Sequence, residues 1–125
     1  MTDPGADGWD CHVHVFDASH PVQPGHYPAL DRPLVQIEAA ALALGVGHLV
    51  LVQPSVYGSD NALMLAALAR QPGRHRGVVV LAPTLEGAAL EAELDTMHTL
   101  GVRGVRFNLV SPAGDVLPTL ARWAA

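Results

Sequence analysis

Residues His48–Gln53 read HLVLVQ, an unbroken run of four branched aliphatic side chains closed by a glutamine. A strand that wets one face alternates apolar with polar residues, whereas a strand apolar on both faces belongs in a parallel sheet covered by helices. Outward from this run, Gly77–Ala82 (GVVVLA) repeats the pattern, and the spacing predicts strands at about 9–16, 47–53, 77–82 and 102–109. Helical spacing fills the gaps. Leu34, Ile37, Ala41 and Leu44 recur on one face before Gly45 and Gly47 stop the run, and Ser59 or Asp60 is placed to cap a helix over Asn61–Gln71. Leu90, Leu94 and Met97 mark a third helix that ends at Gly101, and Val116–Ala124 opens a fourth. Strict strand–helix alternation implies a parallel sheet with right-handed crossovers.

Two architectures share that order: an open doubly wound sheet and a (β/α)₈ barrel. No GxGxxG follows the first strand, which argues against a dinucleotide fold. Polar residues end three of the four strands on their C-terminal side, where barrel active sites are built. The fold expected for residues 1–125 is therefore a single partial domain, the N-terminal four βα units of a (β/α)₈ TIM barrel. Four strands leave two open edges, at Trp9–Phe16 and Val102–Leu109, and Leu49 and Leu51 are expected to look into the half-barrel. Self-association or pairing with a missing C-terminal half follows, with the isolated chain catalytically silent.

Composition narrows the function. The 125 residues are 50% hydrophobic and 15% charged, with a formal charge of −5, so the chain is globular and carries no basic face for nucleic acid or anionic lipid. It contains no lysine, which excludes Schiff-base chemistry and a P-loop. The single cysteine, Cys11, excludes an internal disulfide. The start MTDPGADGWD lacks the basic and apolar character of a signal peptide, and no apolar run approaches the ~20 residues of a membrane span. A cytoplasmic protein is expected.

The candidate chemistry lies at the strand ends. Side chains alternate along a strand, so Asp10, His12 and His14 are expected on one face and Cys11, Val13 and Val15 on the other. Two imidazoles at i and i+2 can ligate one metal or hold one water. In the last strand Gly104, Arg106 and Asn108 share a face, and Gly104 leaves space beneath a guanidinium suited to bidentate grip on a carboxylate. Gln53, Ser55 and Tyr57 leave the second strand where they would hydrogen-bond substrate oxygens, and Tyr27 is a phenol donor in the long first loop. Asp60 and Asn61 read as a helix cap, Arg103 as structural, and His20, His26, His48, His75 and His98 carry no motif context.

The motif Asp10-x-His12-x-His14, the loop Val52–Asn61 (VQPSVYGSDN) and the strand Gly101–Asn108 (GVRGVRFN) together resemble the amidohydrolase superfamily. The branch is that of 2-pyrone-4,6-dicarboxylate lactonase and related lactone hydrolases, and the likeness runs in order over nearly the whole chain. It implies that His12 and His14 line the catalytic centre and that Arg106 grips a substrate carboxylate. In metal-dependent members the same histidine pair binds zinc or another divalent ion, whereas the pyrone lactonases are held to work without one. Cofactor expectations are accordingly none, or one zinc or manganese in the complete protein. A second arginine of the branch, six residues beyond Arg106, is here Pro112. The water-activating aspartate of the eighth strand and the histidines of the fifth and sixth lie outside the sequence. The activity implied is hydrolysis of a small carboxylated lactone or similar cyclic ester. Alternatives are a metal-dependent amidohydrolase or decarboxylase using His12 and His14, and a non-catalytic degenerate half-barrel that binds a small acid or pairs with a subunit.

Overall fold

The computed structural model describes residues 6–108 and 116–125. Strands β1 (Gly8–Val13), β2 (Val46–Val52), β3 (Arg76–Val79) and β4 (Val102–Val105) alternate with helices α1 (Leu34–Leu42), α2 (Ala62–Arg70), α3 (Gly87–Leu100) and α4 (Val116–Ala124). The strands form one sheet in the order β1-β2-β3-β4, every neighbouring pair parallel. The four βα units anticipated from the apolar runs are present, with β1, β3 and β4 shorter than anticipated and β2 of the anticipated length, one residue nearer the N-terminus. The ladder nevertheless continues past β4, because the Arg106 N–H donates to the Val79 carbonyl at 2.7 Å. Leu109, the anticipated end of that strand, and Pro112 lie outside the described residues.

Glycine settles which face of the sheet the helices cover. Leu51 pairs with Gly77, and a Cβ on Gly77 would meet Leu68 Cδ1 at 2.8 Å and Met64 Sδ at 3.0 Å, both from α2. Leu49, Leu51 and Val79 are therefore on the helix side, fully buried with Leu34, Met64 and Leu68. This corrects the expectation that Leu49 and Leu51 look into the half-barrel. The opposite face carries Val52, Val78 and Gly104, where a Cβ on Gly104 would touch Val78 Cγ2 at 3.4 Å. Each fully buried aliphatic side chain on the helix side contributes about 1.5–3 kcal/mol.

Two slips in register aim the functional strands. Asp10 pairs with Leu49 and Val13 with Leu51, so β1 advances three residues while β2 advances two. Alternation does not carry across such a bulge. Asp10 is thereby removed from the anticipated common face, and its Oδ1 accepts from the His12 N–H at 3.1 Å. The second slip falls at Arg103: Val102 pairs with Gly77 in the core, whereas Gly104 pairs with Val78 on the opposite face. The Arg103 guanidinium closes on the carbonyls of His98 and Val102, both at 2.8 Å. Gly104 and Arg106 then follow on the open face.

At the N-terminal end of the sheet a polar network ties α1 to β2 and β3. His75 is buried; its Nδ1 accepts from the Leu49 N–H at 3.0 Å, so in this arrangement its Nε2 donates to Glu38 Oε2 at 2.9 Å. The same carboxylate oxygen takes Arg74 at 2.9 Å and Gln71 at 3.0 Å. Arg74 Nε also donates to the Gly47 carbonyl at 3.1 Å. Helix α4 is attached at the other end, where Arg122 and Trp123 donate to the carbonyls of Pro83 and Leu85, both at 2.6 Å. No described helix is long and apolar enough to cross a membrane.

Candidate active site

The loop after β2 and the C-terminal ends of β3 and β4 border a cavity of about 330 Å³, whose lining does not include His12 or His14. The loop after β2 contributes Ser55, Gly58 and Ser59; the end of β3 contributes Val80 and Leu81; the end of β4 contributes Arg106, Phe107 and Asn108. Val116, Thr119 and Trp123 of α4 close one side, and Gln23 and His26 reach in from the loop after β1. The walls are largely hydrocarbon, and among the described residues Arg106 is the one arginine that lines them.

Two consecutive carbonyls, of Val52 at the end of β2 and of Gln53 just after it, hold His14 and Arg106. The Val52 carbonyl receives His14 Nδ1 at 2.7 Å, and the Gln53 carbonyl receives Arg106 Nη1 at 2.9 Å. A carbonyl only accepts, so His14 carries a proton on Nδ1, and in the neutral ring Nε2 keeps its lone pair. His12 stands edge-on to His14 with ring centroids 5.1 Å apart. The pair supplies two imidazoles, but no group of three or more His, Cys, Asp or Glu side chains able to hold a metal assembles among the described residues. Arg106 also lines the cavity.

The other anticipated contacts divide. Ser55 and Asn108 line the cavity. Gln53 is buried, and its amide donates to the carbonyls of Gly58 at 3.0 Å and Asp60 at 2.7 Å, so its side chain braces the loop instead of meeting a ligand. Tyr57 is also buried; its hydroxyl accepts from the Asp17 N–H at 3.1 Å and donates to the Asp17 carbonyl at 3.0 Å. Tyr27 is 90% exposed and outside the cavity lining, whereas the adjacent His26 is part of it. Both tyrosines thus fall short of the contact anticipated for them, one because its hydroxyl is spent and one because it faces solvent.

Three features had no signal in the residue pattern. Asn61 bonds both backbone groups of Val80, receiving its N–H at 3.1 Å and donating to its carbonyl at 2.8 Å, which pins the end of β3 to the start of α2. Asp60, anticipated at the helix start, accepts from the Ala62 N–H at 3.1 Å and pairs with His20 at 3.0 Å. Asp17, just past β1, has its carboxyl pKa held below 3.8 because the Ser19 hydroxyl and N–H both donate to it. Thr119 enters the site from a helix that carries no motif.

Comparison with known proteins agrees with this architecture. The family model described as amidohydrolase matches residues 9–125. A 2-pyrone-4,6-dicarboxylate hydrolase of Comamonas testosteroni is 37% identical over 112 residues, which are 87% of this chain and 35% of that protein. A 4-sulfomuconolactone hydrolase of Hydrogenophaga intermedia is 35% identical over 79% of this chain and 32% of its own length. A Pseudomonas putida crystal structure assigned as a 2-pyrone-4,6-dicarboxylic acid hydrolase superimposes with a TM-score of 0.70 at 44% identity, over 81% of this chain and 36% of that one. The chain spans about a third of the length of the curated relatives it matches.

Proposed function

The chain belongs to the amidohydrolase family, and from that premise we propose that it forms the carboxylate-gripping part of a lactone-hydrolysing active site. The observation that carries the reading is Arg106, anchored by one nitrogen on the Gln53 carbonyl at 2.9 Å and lining a largely apolar cavity at the C-terminal end of the sheet. A guanidinium held in this way offers its other donors to an anion, a contact worth roughly 1.5–3 kcal/mol. The relatives' names support the ligand class, since a 2-pyrone is an unsaturated cyclic ester and a dicarboxylate supplies the anions. Arg106 fixes one carboxylate, with Ser55 and Asn108 beside it and the ring against Val80 and Leu81.

His12 and His14 act at the scissile ester. His14 Nε2 is the lone pair that holds a water or a metal ion, because Nδ1 is spent on Val52. Attack of water on the lactone carbonyl breaks the ring C–O bond, leaving a carboxylate and an enol or alcohol. The base that takes the water's proton is expected from residues outside this sequence. If a divalent ion is bound, His12 and His14 are two of its ligands, and the ion supplies Lewis-acid polarisation of the carbonyl. The β1 and β4 edges of the four-stranded sheet support pairing with a further copy or with four more units.

The test uses isophthalate, a flat dicarboxylate that cannot be hydrolysed. Calorimetric titration should give saturable binding to the chain, and Arg106→Ala should abolish it with the fold retained. Equal binding by the variant would remove Arg106 from the site.

A further inference from the structure

Thr119 is buried, at 2% exposure, it lines the cavity, and its Oγ1 has no hydrogen-bond partner among the described residues. A helical threonine normally satisfies its hydroxyl on a carbonyl one turn back. Thr96 and Thr99 of α3 do so, donating to Ala92 at 3.0 Å and to Thr96 at 2.6 Å. Thr119 differs from both. The orientation of α4 sharpens the contrast, since Leu117 is 75% and Leu120 45% exposed while the hydroxyl between them is enclosed. A helix that turns leucines to solvent and a lone hydroxyl inward carries an unmet polar cost.

We infer that Thr119 is a ligand-contacting residue whose hydroxyl donates to the anion gripped by Arg106. The inference rests on the cavity reading above and adds α4 to the residues that select the ligand. Arg106 fixes the charge of that ligand as negative, so a hydroxyl lining the same cavity meets an acceptor and acts as donor. The hydrocarbon of Val80, Leu81, Phe107 and Trp123 fixes its body as flat and apolar. The class is a small unsaturated carboxylate or dicarboxylate. Binding would also fasten α4, which Arg122 and Trp123 otherwise hold through two loop carbonyls.

Thr119→Val keeps the shape and removes the hydroxyl, and Thr119→Ser keeps the hydroxyl. Each is titrated with isophthalate and melted without ligand, beside Arg106→Ala. The valine variant should lose tenfold or more in affinity, as expected for a hydrogen bond to a charged group, while its ligand-free melting temperature stays the same or rises. The serine variant should bind within about threefold of the parent. If Thr119→Val binds like the parent while Arg106→Ala does not, the cavity reading stands and the Thr119 inference falls. A lower ligand-free melting temperature for the valine variant would also overturn it, by showing that the hydroxyl serves the fold. Absence of binding by the parent would overturn both.

Discussion

The two ends of the sheet use the same residue types in opposite ways. At the N-terminal end, Glu38, Gln71, Arg74 and His75 spend their polar atoms on one another and on the backbone of Gly47 and Leu49. At the C-terminal end, Arg106 uses one nitrogen on Gln53, His14 uses one on Val52, and Thr119 uses none. A buried polar group without its partner costs free energy, and among the described residues Thr119 Oγ1, at the C-terminal end, is the buried side-chain atom left in that state, whereas Gln53, Tyr57 and Asn61 of the same end are satisfied. Histidine and arginine alone therefore do not mark a site; what their donors are already attached to does.

The largest effect is expected where satisfaction is complete. Glu38→Ala would leave the buried His75 Nε2–H and the Arg74 guanidinium without their carboxylate, and should destabilise the chain by about 3 kcal/mol in denaturant unfolding. A loss below about 0.5 kcal/mol would erase the distinction between the ends. Next comes Gly77→Ala, midway along β3, where the added methyl meets Leu68 and Met64 and should cost about 1–3 kcal/mol without altering ligand binding. Unchanged stability there would mean that α2 does not pack on this face.

Arg106→Lys tests the open end and should invert the pattern. Stability should hold within about 0.5 kcal/mol while isophthalate affinity drops about tenfold, since an ammonium cannot bond Gln53 and a carboxylate in the same fork. The smallest effect belongs to Asp17. Its folded pKa lies below the 3.8 of an ordinary aspartate, so its contribution is present above that value and is lost as pH falls through the lowered folded pKa. Acid melts of Asp17→Asn should match the parent at the lowest pH and fall slightly below it at neutral pH. A deficit that grows on acidification would reverse the sign.

The order and parallel sense of the strands were legible because HLVLVQ and GVVVLA are apolar on both faces, and only a helix-covered parallel sheet buries both. Arg106 and Asn108 both line the cavity, as their shared parity suggested, but Phe107 between them lines it too, so alternation alone does not select them. Asp10 was misplaced because a slip falls between it and His14. Leu49 and Leu51 were turned the wrong way because a strand apolar on both sides gives alternation nothing to orient. Gln53 and Tyr57 have the chemistry of ligand contacts, and their diversion to loop carbonyls depends on chain geometry that no residue spacing encodes. Thr119 was silent because its only distinction is a missing partner.

The proposed activity depends on an anion site at the C-terminal end of the sheet. Nitrogen-15 NMR of the chain titrated with isophthalate tests it directly, because Arg74 and Arg76 offer competing guanidinium groups at the opposite end. Shifts should concentrate on the backbone amides of Ser55, Gly58, Val80, Leu81 and Arg106 and on the Arg106 Nε–H, with His48, Arg74 and Arg76 still. Shifts centred on Arg74 and Arg76, or none on the Arg106 side chain, would contradict it.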